Sequence, residues 1–461
     1  LSPHHVAPRP LPLAPLALAL ASLAVLGATA TGCAEQASIG FNGPAVVALD
    51  LPVAQLDAVD VLFVIDNSLS MQDEQIELAD GIEVRLFAPL LGSGLDLHIG
   101  VISTDVGTGD NMVGGCSNET NRNGDNGVLW QPEECTAADN NFLIDSPSTG
   151  DRNYEGDLGD AFACAGLIGT DGCGFEQPLE SMRRALSDNP ANAGFLRDDA
   201  ALVVVIVTDE DDCSANPDLF ANHDADVDSD LGPLDSFRCF EFGVTCADGP
   251  DDPRAPGRRQ QCAPREDSLV RSVASYVDFL SDLKGGRPLV HVAVIAGPTD
   301  SIEVIENARR DNIPSLALSC GSESDESGFG ASPAVRLEAF ANSFGPRGSF
   351  ESICGRFGSS REIEQLADRL RRETARCLSG DLADVDRAAG MQPVCRAYLR
   401  NPSAGSPNLD LARCGTDSGG TCYRLIREPA CRTAHGLAVE LGGSAPPPDA
   451  NVVVECLANV P

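Results

Sequence analysis

Basic side chains are scarce in this chain. Lysine and arginine number 32 against 69 aspartates and glutamates, a formal charge of −37, and Lys284 is the only lysine among 461 residues. Phosphate backbones and anionic headgroups are bound through clustered cations, so neither nucleic acid nor an anionic membrane surface is expected as a partner. Such a balance suits a soluble surface that attracts cations. Histidine is scarce too, with six residues, of which His4 and His5 fall in an N-terminal leader. His98, His223, His291 and His435 remain, and none accompanies a nucleophile elbow. His98 and His291 sit in strand-like runs, and His291 reads as packed. A nucleophile with a base in reach is therefore missing, and the chain is read as not an enzyme. Metal-assisted hydrolysis by carboxylates such as Asp209 to Asp212 stays open as an alternative. No cysteine pair has the C-x2-C spacing that would favour zinc.

Seventeen cysteines are present. The apolar run Leu16 to Leu26 follows weakly basic residues up to Arg9; it is too short to span a bilayer comfortably and fits a secretory h-region. Residues 1–32 read as a signal peptide. The small residues that end at Gly32 before Cys33 resemble the lipobox of bacterial lipoproteins. That resemblance implies lipidation at Cys33, secretion across the inner membrane and residence in the bacterial cell envelope, as an outer-membrane lipoprotein anchored to the membrane by its lipid. A cut by ordinary signal peptidase nearby is the alternative. Without Cys33 sixteen cysteines remain, an even set behind a secretory leader, which reads as a disulfide framework of unknown connectivity.

The stretch that organises the chain is Val61-Leu-Phe-Val-Ile65, followed at once by Asp66-Asn67-Ser68-Leu69-Ser70. Five apolar residues in a row predict a central strand of a parallel sheet, covered on both faces. The polar residues then lie at the strand's carboxyl end, where open α/β sheets place their ligands. One carboxylate and two hydroxyls at alternate positions suit a hard divalent cation, Mg²⁺, Mn²⁺ or Ca²⁺. The plainer alternative is a βα turn in which Asp66 or Ser68 caps the next helix. A helical pattern follows from Asp73 to Leu90. A second such strand, Ala201 to Val207, also stops on polar residues, Thr208-Asp209-Glu210-Asp211-Asp212.

The pair Asp66-x-Ser68-x-Ser70 and Thr208-Asp209, each after an apolar strand, resembles the metal-ion-dependent adhesion site (MIDAS) of von Willebrand factor A (vWA) domains. The resemblance implies an α/β fold with a doubly wound, mostly parallel, Rossmann-like sheet. It also implies a cation held by Asp66, Ser68, Ser70 and Asp209, with one coordination position left for a carboxylate of an unidentified protein or surface ligand. In that family a threonine from a loop before a helix completes the shell. Thr170 is the nearest candidate, with Cys173 near the expected place, and Thr104 or Asp105 at another strand end are substitutes. The expected function is adhesion: an envelope-anchored, cation-dependent binding module. The alternatives are a metal-dependent hydrolase and a structural envelope protein whose metal braces the fold.

Along the chain, residues 33–56 read as the lipidated cysteine and a tether, and 57–378 as the vWA-like domain. Large disulfide-rich insertions are expected at 107–160, 214–265 and 297–331, because those stretches are too long for ordinary loops. The second insertion carries Asp224, Asp226 and Asp228 at alternate positions, which mimics a Ca²⁺ loop and suggests an additional structural Ca²⁺; a solvated acidic loop is the alternative. Residues 379–461 read as a small disulfide-stapled β-rich module. Its five cysteines are odd in number, so one should bridge to the preceding domain, through Cys377 or Cys354.

Overall fold

Val61 to Ile65 and Ala201 to Val207 are apolar at every position because both sides of each strand are covered. Alternate residues of a strand point to opposite faces. Val61, Phe63 and Ile65 thus enter one core with Val203, Val205 and Val207. Leu62 and Val64 enter another with Leu202, Val204 and Ile206. The computed structural model describes residues 46–52, 58–91, 95–130, 141–285, 289–308, 312–321, 330–354, 361–374, 376–378, 380–384, 392–400, 408–415, 420–427, 431, 435–443 and 451–458. The expected signal peptide 1–32 and Cys33 lie outside the described residues.

In chain order the first elements are β1 (Val46–Pro52), β2 (Ala58–Ile65), α1 (Gln72–Ile82), α2 (Ala88–Leu91), β3 (Asp96–Ser103), β4 (Leu143–Ser146) and β5 (Asp151–Arg152). Next come α3 (Leu158–Gly166), α4 (Pro178–Leu186), β6 (Ala201–Val207), α5 (Phe237–Gly243), β7 (Val244–Asp248) and β8 (Gly257–Pro264). They are followed by α6 (Val273–Leu283), β9 (Val290–Ala296), β10 (Ile302–Asn307), β11 (Ile313–Leu316), β12 (Cys320–Gly321) and β13 (Gly330–Ala331). Last are α7 (Val335–Asn342), β14 (Gly348–Ser352), α8 (Arg361–Thr374), β15 (Cys395–Arg400), β16 (Leu409–Arg413), β17 (Cys422–Arg427), β18 (Leu437–Gly442) and β19 (Asn451–Leu457).

The main sheet has seven strands in the order β14-β9-β6-β2-β3-β4-β5. The pairs β14–β9, β9–β6, β6–β2 and β2–β3 are parallel, whereas β3–β4 and β4–β5 are antiparallel. Helices α1, α3 and α8 contribute to the core on one face, and α4, α6 and α7 to the core on the other. The chain leaves β2 for β3 on one side and later fills β6 on the other, so the strand order reverses at β2. Ligand crevices form at such a reversal.

The helix expected from Asp73 to Leu90 is interrupted. Over Glu83–Phe87 the ladder loosens to a π turn, and the Ala88 N–H donates to the Glu83 carbonyl. Pro89 has no N–H with which to continue a regular ladder. Helix α6 begins after Ser272, whose hydroxyl accepts from the Ser275 N–H as its N-cap.

The described parts of the expected insertions contribute strands to sheets. From 107–160 come β4 and β5, which extend the main sheet at its edge. The stretches 214–265 and 297–331 build a common four-stranded sheet, β11-β10-β8-β7, in which Val304 of one pairs with Gly257 of the other. Residues 46–52 correct the expectation of a tether. They form β1, antiparallel to β19, at the edge of a six-stranded sheet β1-β19-β15-β16-β17-β18. A strand 400 positions away supplies the backbone partners, which no local pattern announces.

Seven bridges join described cysteines: Cys116–Cys173, Cys213–Cys239, Cys246–Cys262, Cys320–Cys354, Cys377–Cys431, Cys395–Cys456 and Cys414–Cys422. Cys164 is disulfide-bonded as well. The odd cysteine of the C-terminal stretch, Cys431, pairs with Cys377, which follows α8. Among the described residues no helix is long and apolar enough to cross a membrane.

Helix α4 begins on Pro178, whose fixed φ suits a first helical position. One turn in, buried Glu180 takes hydrogen bonds from Arg183 (2.6 and 2.9 Å), Arg184 (3.1 Å) and the Tyr276 hydroxyl (3.1 Å). Burial alone would raise this carboxyl, but the two arginines outweigh it and hold it below the usual glutamate value. A depressed carboxyl contributes stability above its unfolded value of 4.5, and that contribution is lost as pH falls through the native value. Glu180→Gln should therefore lower thermal stability at neutral pH by about 1–3 kcal/mol, discounted for the partly exposed arginines. The gap to wild type should close as melts are repeated at pH values below 4.5; a gap that does not change with pH would show that the pair contributes nothing.

Candidate metal centre

The ladder between β2 and β6 runs to Ile65 opposite Val207. One residue further, the Asp66 N–H donates to the Val207 carbonyl (2.9 Å), so both strand ends turn away together. The Asp66 side chain is fully buried. Its Oδ1 accepts from the Ser68 N–H (2.7 Å) and its Oδ2 from the Thr208 hydroxyl (2.6 Å). Ser68 Oγ and Ser70 Oγ lie 3.1 Å apart. The Ser70 side chain also acts on the Asp209 carboxyl, lowering it against the effect of burial. The four residues expected from the sequence, Asp66, Ser68, Ser70 and Asp209, thus lie beside one another.

Two contacts brace this loop from outside. Gln75 of α1 donates from Nε2 to the carbonyls of Asp66 and Gly169, at 2.9 Å each. The Gly172 N–H donates to the Asn67 carbonyl (2.8 Å), and a Cβ at Gly172 would stand 2.2 Å from Asn67 Oδ1. Glycine is required there for close approach of the two loops. The Cys116–Cys173 bridge anchors the second loop one residue on.

Carboxylates that were not foreseen complete the surroundings. Glu176, in the turn before α4, is 2% exposed, and burial together with Glu210 and Asp66 raises its carboxyl well above the ordinary value. Asp209 is likewise raised well above its ordinary value by burial, Asp66 and Glu210. Burial raises Asp66, against the hydrogen bonds from Thr208 and Ser68. Glu74 of α1 is raised by burial and by neighbouring acids that include Asp66. Among the described residues no arginine or lysine pairs with Asp66, Glu74, Glu176 or Asp209. The buried oxygens Asp209 Oδ1, Glu74 Oε2, Asn67 Oδ1 and Thr104 Oγ1 have no hydrogen-bond partner. Buried negative charge with unpartnered oxygens is costly unless a proton or a cation joins it.

The residues present therefore fit a hard divalent cation. Among the described residues no three His, Cys, Asp or Glu side chains converge closely enough to hold an ion by themselves. A cation here would need hydroxyl oxygens beside the carboxylates, and Ser68 and Ser70 supply them.

The remaining sequence candidates are distributed differently. Thr104, at the end of β3, is fully buried with Oγ1 unpartnered, and its carbonyl accepts from the Gln177 N–H (3.1 Å). Thr170 is partly exposed in the loop before α4. Cys173 is half of a disulfide. Glu176 is not among the residues that the sequence pattern singles out; its signal in the sequence is an acid just before a helix N-terminus, where negative charge is favoured. Asp224, Asp226 and Asp228 are exposed and do not converge. The guanidinium of Arg254 takes the carbonyls of Val227 and Ser229 (2.7 Å each) and Asp230 (3.0 Å). A cation already organises that turn.

No protein-family model matches the chain, and no curated protein matches it. Among solved structures, the pilus adhesin SpaC of Lactobacillus rhamnosus GG is similar with a TM-score of 0.33 and 11% identity, over 89% of this chain and 41% of that one. Its open conformation gives a TM-score of 0.31 at 10% identity, over 89% and 40%. The pilus adhesin RrgA of Streptococcus pneumoniae gives 0.28 at 11%, over 90% and 58%. The chain thus spans less than two thirds of each of these proteins.

Asp209→Asn removes one buried, unpaired charge and keeps an oxygen for Ser70. In chelator the variant should melt a few degrees above wild type; a variant that melts lower would show that this carboxylate is compensated by a group in the protein.

Proposed function

We propose that this chain is a doubly wound, vWA-type binding module that engages an acidic group of a partner through a divalent cation. The observation that supports the reading is the joined ends of β2 and β6, which gather Asp66, Ser68, Ser70 and Asp209 and leave the buried Asp209 Oδ1 and Thr104 Oγ1 without partners. In this reading Asp66, Ser68, Ser70 and Asp209 hold Mg²⁺, Mn²⁺ or Ca²⁺, with Thr104 rather than Thr170 as the further hydroxyl. The cation, when bound, supplies a Lewis-acidic position for a partner carboxylate. The residues around it orient the loop: Thr208 and the Ser68 N–H fix the Asp66 carboxylate, and Gln75 fixes the backbone.

The cavity over this loop has a volume of about 610 Å³ and is lined by Ser68, Ser70, Glu176 and Glu210, with Leu69 at its rim 81% exposed. Its volume suits a protruding side chain of a protein or surface ligand. The leader pattern ending at Cys33 supports an envelope-anchored setting. Glu176 favours a second reading. A third carboxylate beside Asp66 would neutralise more of the cation's charge and leave it as a brace for the fold, without an electrophilic position.

Calorimetric titration of Mg²⁺, Mn²⁺ and Ca²⁺ into metal-stripped protein tests both. Wild type should show a binding event that Asp66→Ala abolishes, and Asp224→Ala/Asp226→Ala should leave that event intact. Equal binding by wild type and Asp66→Ala would defeat the assignment. Glu176→Gln separates the readings: retained cation binding with tighter capture of a carboxylate probe such as acetate supports the open position, whereas loss of cation binding supports the brace.

A further inference from the structure

A second cavity, about 380 Å³, opens beside the same strand ends and shares no lining residue with the one over Ser68 and Ser70. Its walls differ in kind. Asp105, Asp125 and Asp171 contribute three carboxylates, and among the described residues no lysine or arginine lines it. Asp105 is buried, with Oδ1 accepting from the Gly107 N–H (2.8 Å); exposed Asp125 accepts from the Ser103 hydroxyl (2.6 Å). Among the described residues none of the three has an ion-pair partner. Arg184 acts on Asp105 only through space, because its guanidinium is bound to Glu180, the Val106 carbonyl and Asn126. Asn67, nine-tenths buried, also lines the cavity, and its Oδ1 has no partner.

The remaining wall is apolar. Trp130, the only tryptophan in the chain, is 47% exposed there, beside Val128 at 38% exposed. A half-exposed indole facing three carboxylates across a cavity offers a cation with an organic stem both charge and an apolar face. A divalent metal ion fits poorly, because it needs six or more converging oxygens or bound waters and gains nothing from an indole. The cavity volume falls in the range that encloses a side chain or small ligand.

We infer that this cavity binds an arginine or lysine side chain of a partner polypeptide, with the cation between Asp105 and Asp125 and the aliphatic stem against Trp130 and Val128. A guanidinium suits the place better than an ammonium, since its planar fork can bond two carboxylates and stack on the indole. The two cavities share no lining residue among those described, but Asn67 lies between Asp66 and Ser68 and Asp105 follows Thr104, so the test is made on metal-stripped protein.

Because Trp130 is the only tryptophan, its emission reports on this cavity directly. The experiment titrates metal-stripped protein at constant ionic strength with N-acetyl-arginine N-methylamide, with its neutral citrulline counterpart, and with a short peptide of one arginine between two leucines. The arginine compound should give a saturable millimolar change, citrulline none, and the peptide tighter binding than the single residue. Asp105→Asn/Asp125→Asn should weaken the arginine compound by roughly tenfold, with an unchanged circular-dichroism spectrum. No saturable change in wild type, or an equal response to citrulline, overturns the cation assignment without reference to any variant. Peptide and single residue binding equally would assign the cavity to small organic cations and overturn the polypeptide part.

Discussion

The parallel pairing of β2 with β6 is the constraint on which the site depends. Seven aligned positions, Val59 opposite Ala201 through Ile65 opposite Val207, bring both strands to an end at the same level. The further bond from the Asp66 N–H to the Val207 carbonyl then holds the two carboxyl ends at one height. A slip of one residue would turn the side chains of one strand to the opposite face and take Thr208 away from its place beside Asp66. The register is secured because both faces of both strands are buried, so every residue of the ladder resists the slip.

Around that point the protein concentrates negative charge where solvent is excluded. Burial raises Asp66, Asp209, Glu176 and Glu74, and the Asp66 charge raises the other three further. Two other buried acids, Asp60 and Asp212, are answered by fixed cations. Asp60, at the other end of β2, takes Arg197 at 2.7 Å and stands 3.9 Å from the chain's only lysine, Lys284. Asp212 takes fully buried Arg336 at 2.9 Å. The contrast separates structural acids, which have a protein cation, from strand-end acids, which have none. That difference distinguishes a site from a core ion pair.

The decorations tie the sheet's loops to one another. Cys116–Cys173 joins the first insertion to the loop before α4, and Arg336 of α7 reaches the carbonyls of Gly243 and Arg271 as well as Asp212. The second and third insertions share a sheet, so each orders the other. In a chain poor in lysine, arginine does this work because its planar fork satisfies several carbonyls at once, as Arg238 does with those of Leu219, Ala221 and Gly232.

The unbroken apolar runs at 61–65 and 201–207 were enough to reveal two covered strands, and their abrupt polar ends marked Asp66, Ser68, Ser70 and Asp209 as neighbours in waiting. Periodicity and composition carry that information locally, one strand at a time. The odd cysteine count behind residue 378 likewise required a bridge out of that stretch, met by Cys377. Other features arise only when distant segments meet. Strand β1 needs β19 as its backbone partner, Glu176 acquires its meaning from Asp66 more than a hundred positions earlier, and Asp105, Asp125 and Trp130 share a cavity because β3 and its following loop fold back on themselves. What the sequence determined alone was the chemistry available at each strand end. Which carboxylates lack a compensating cation was decided by tertiary structure, because charge pairing depends on distance through space and not along the chain.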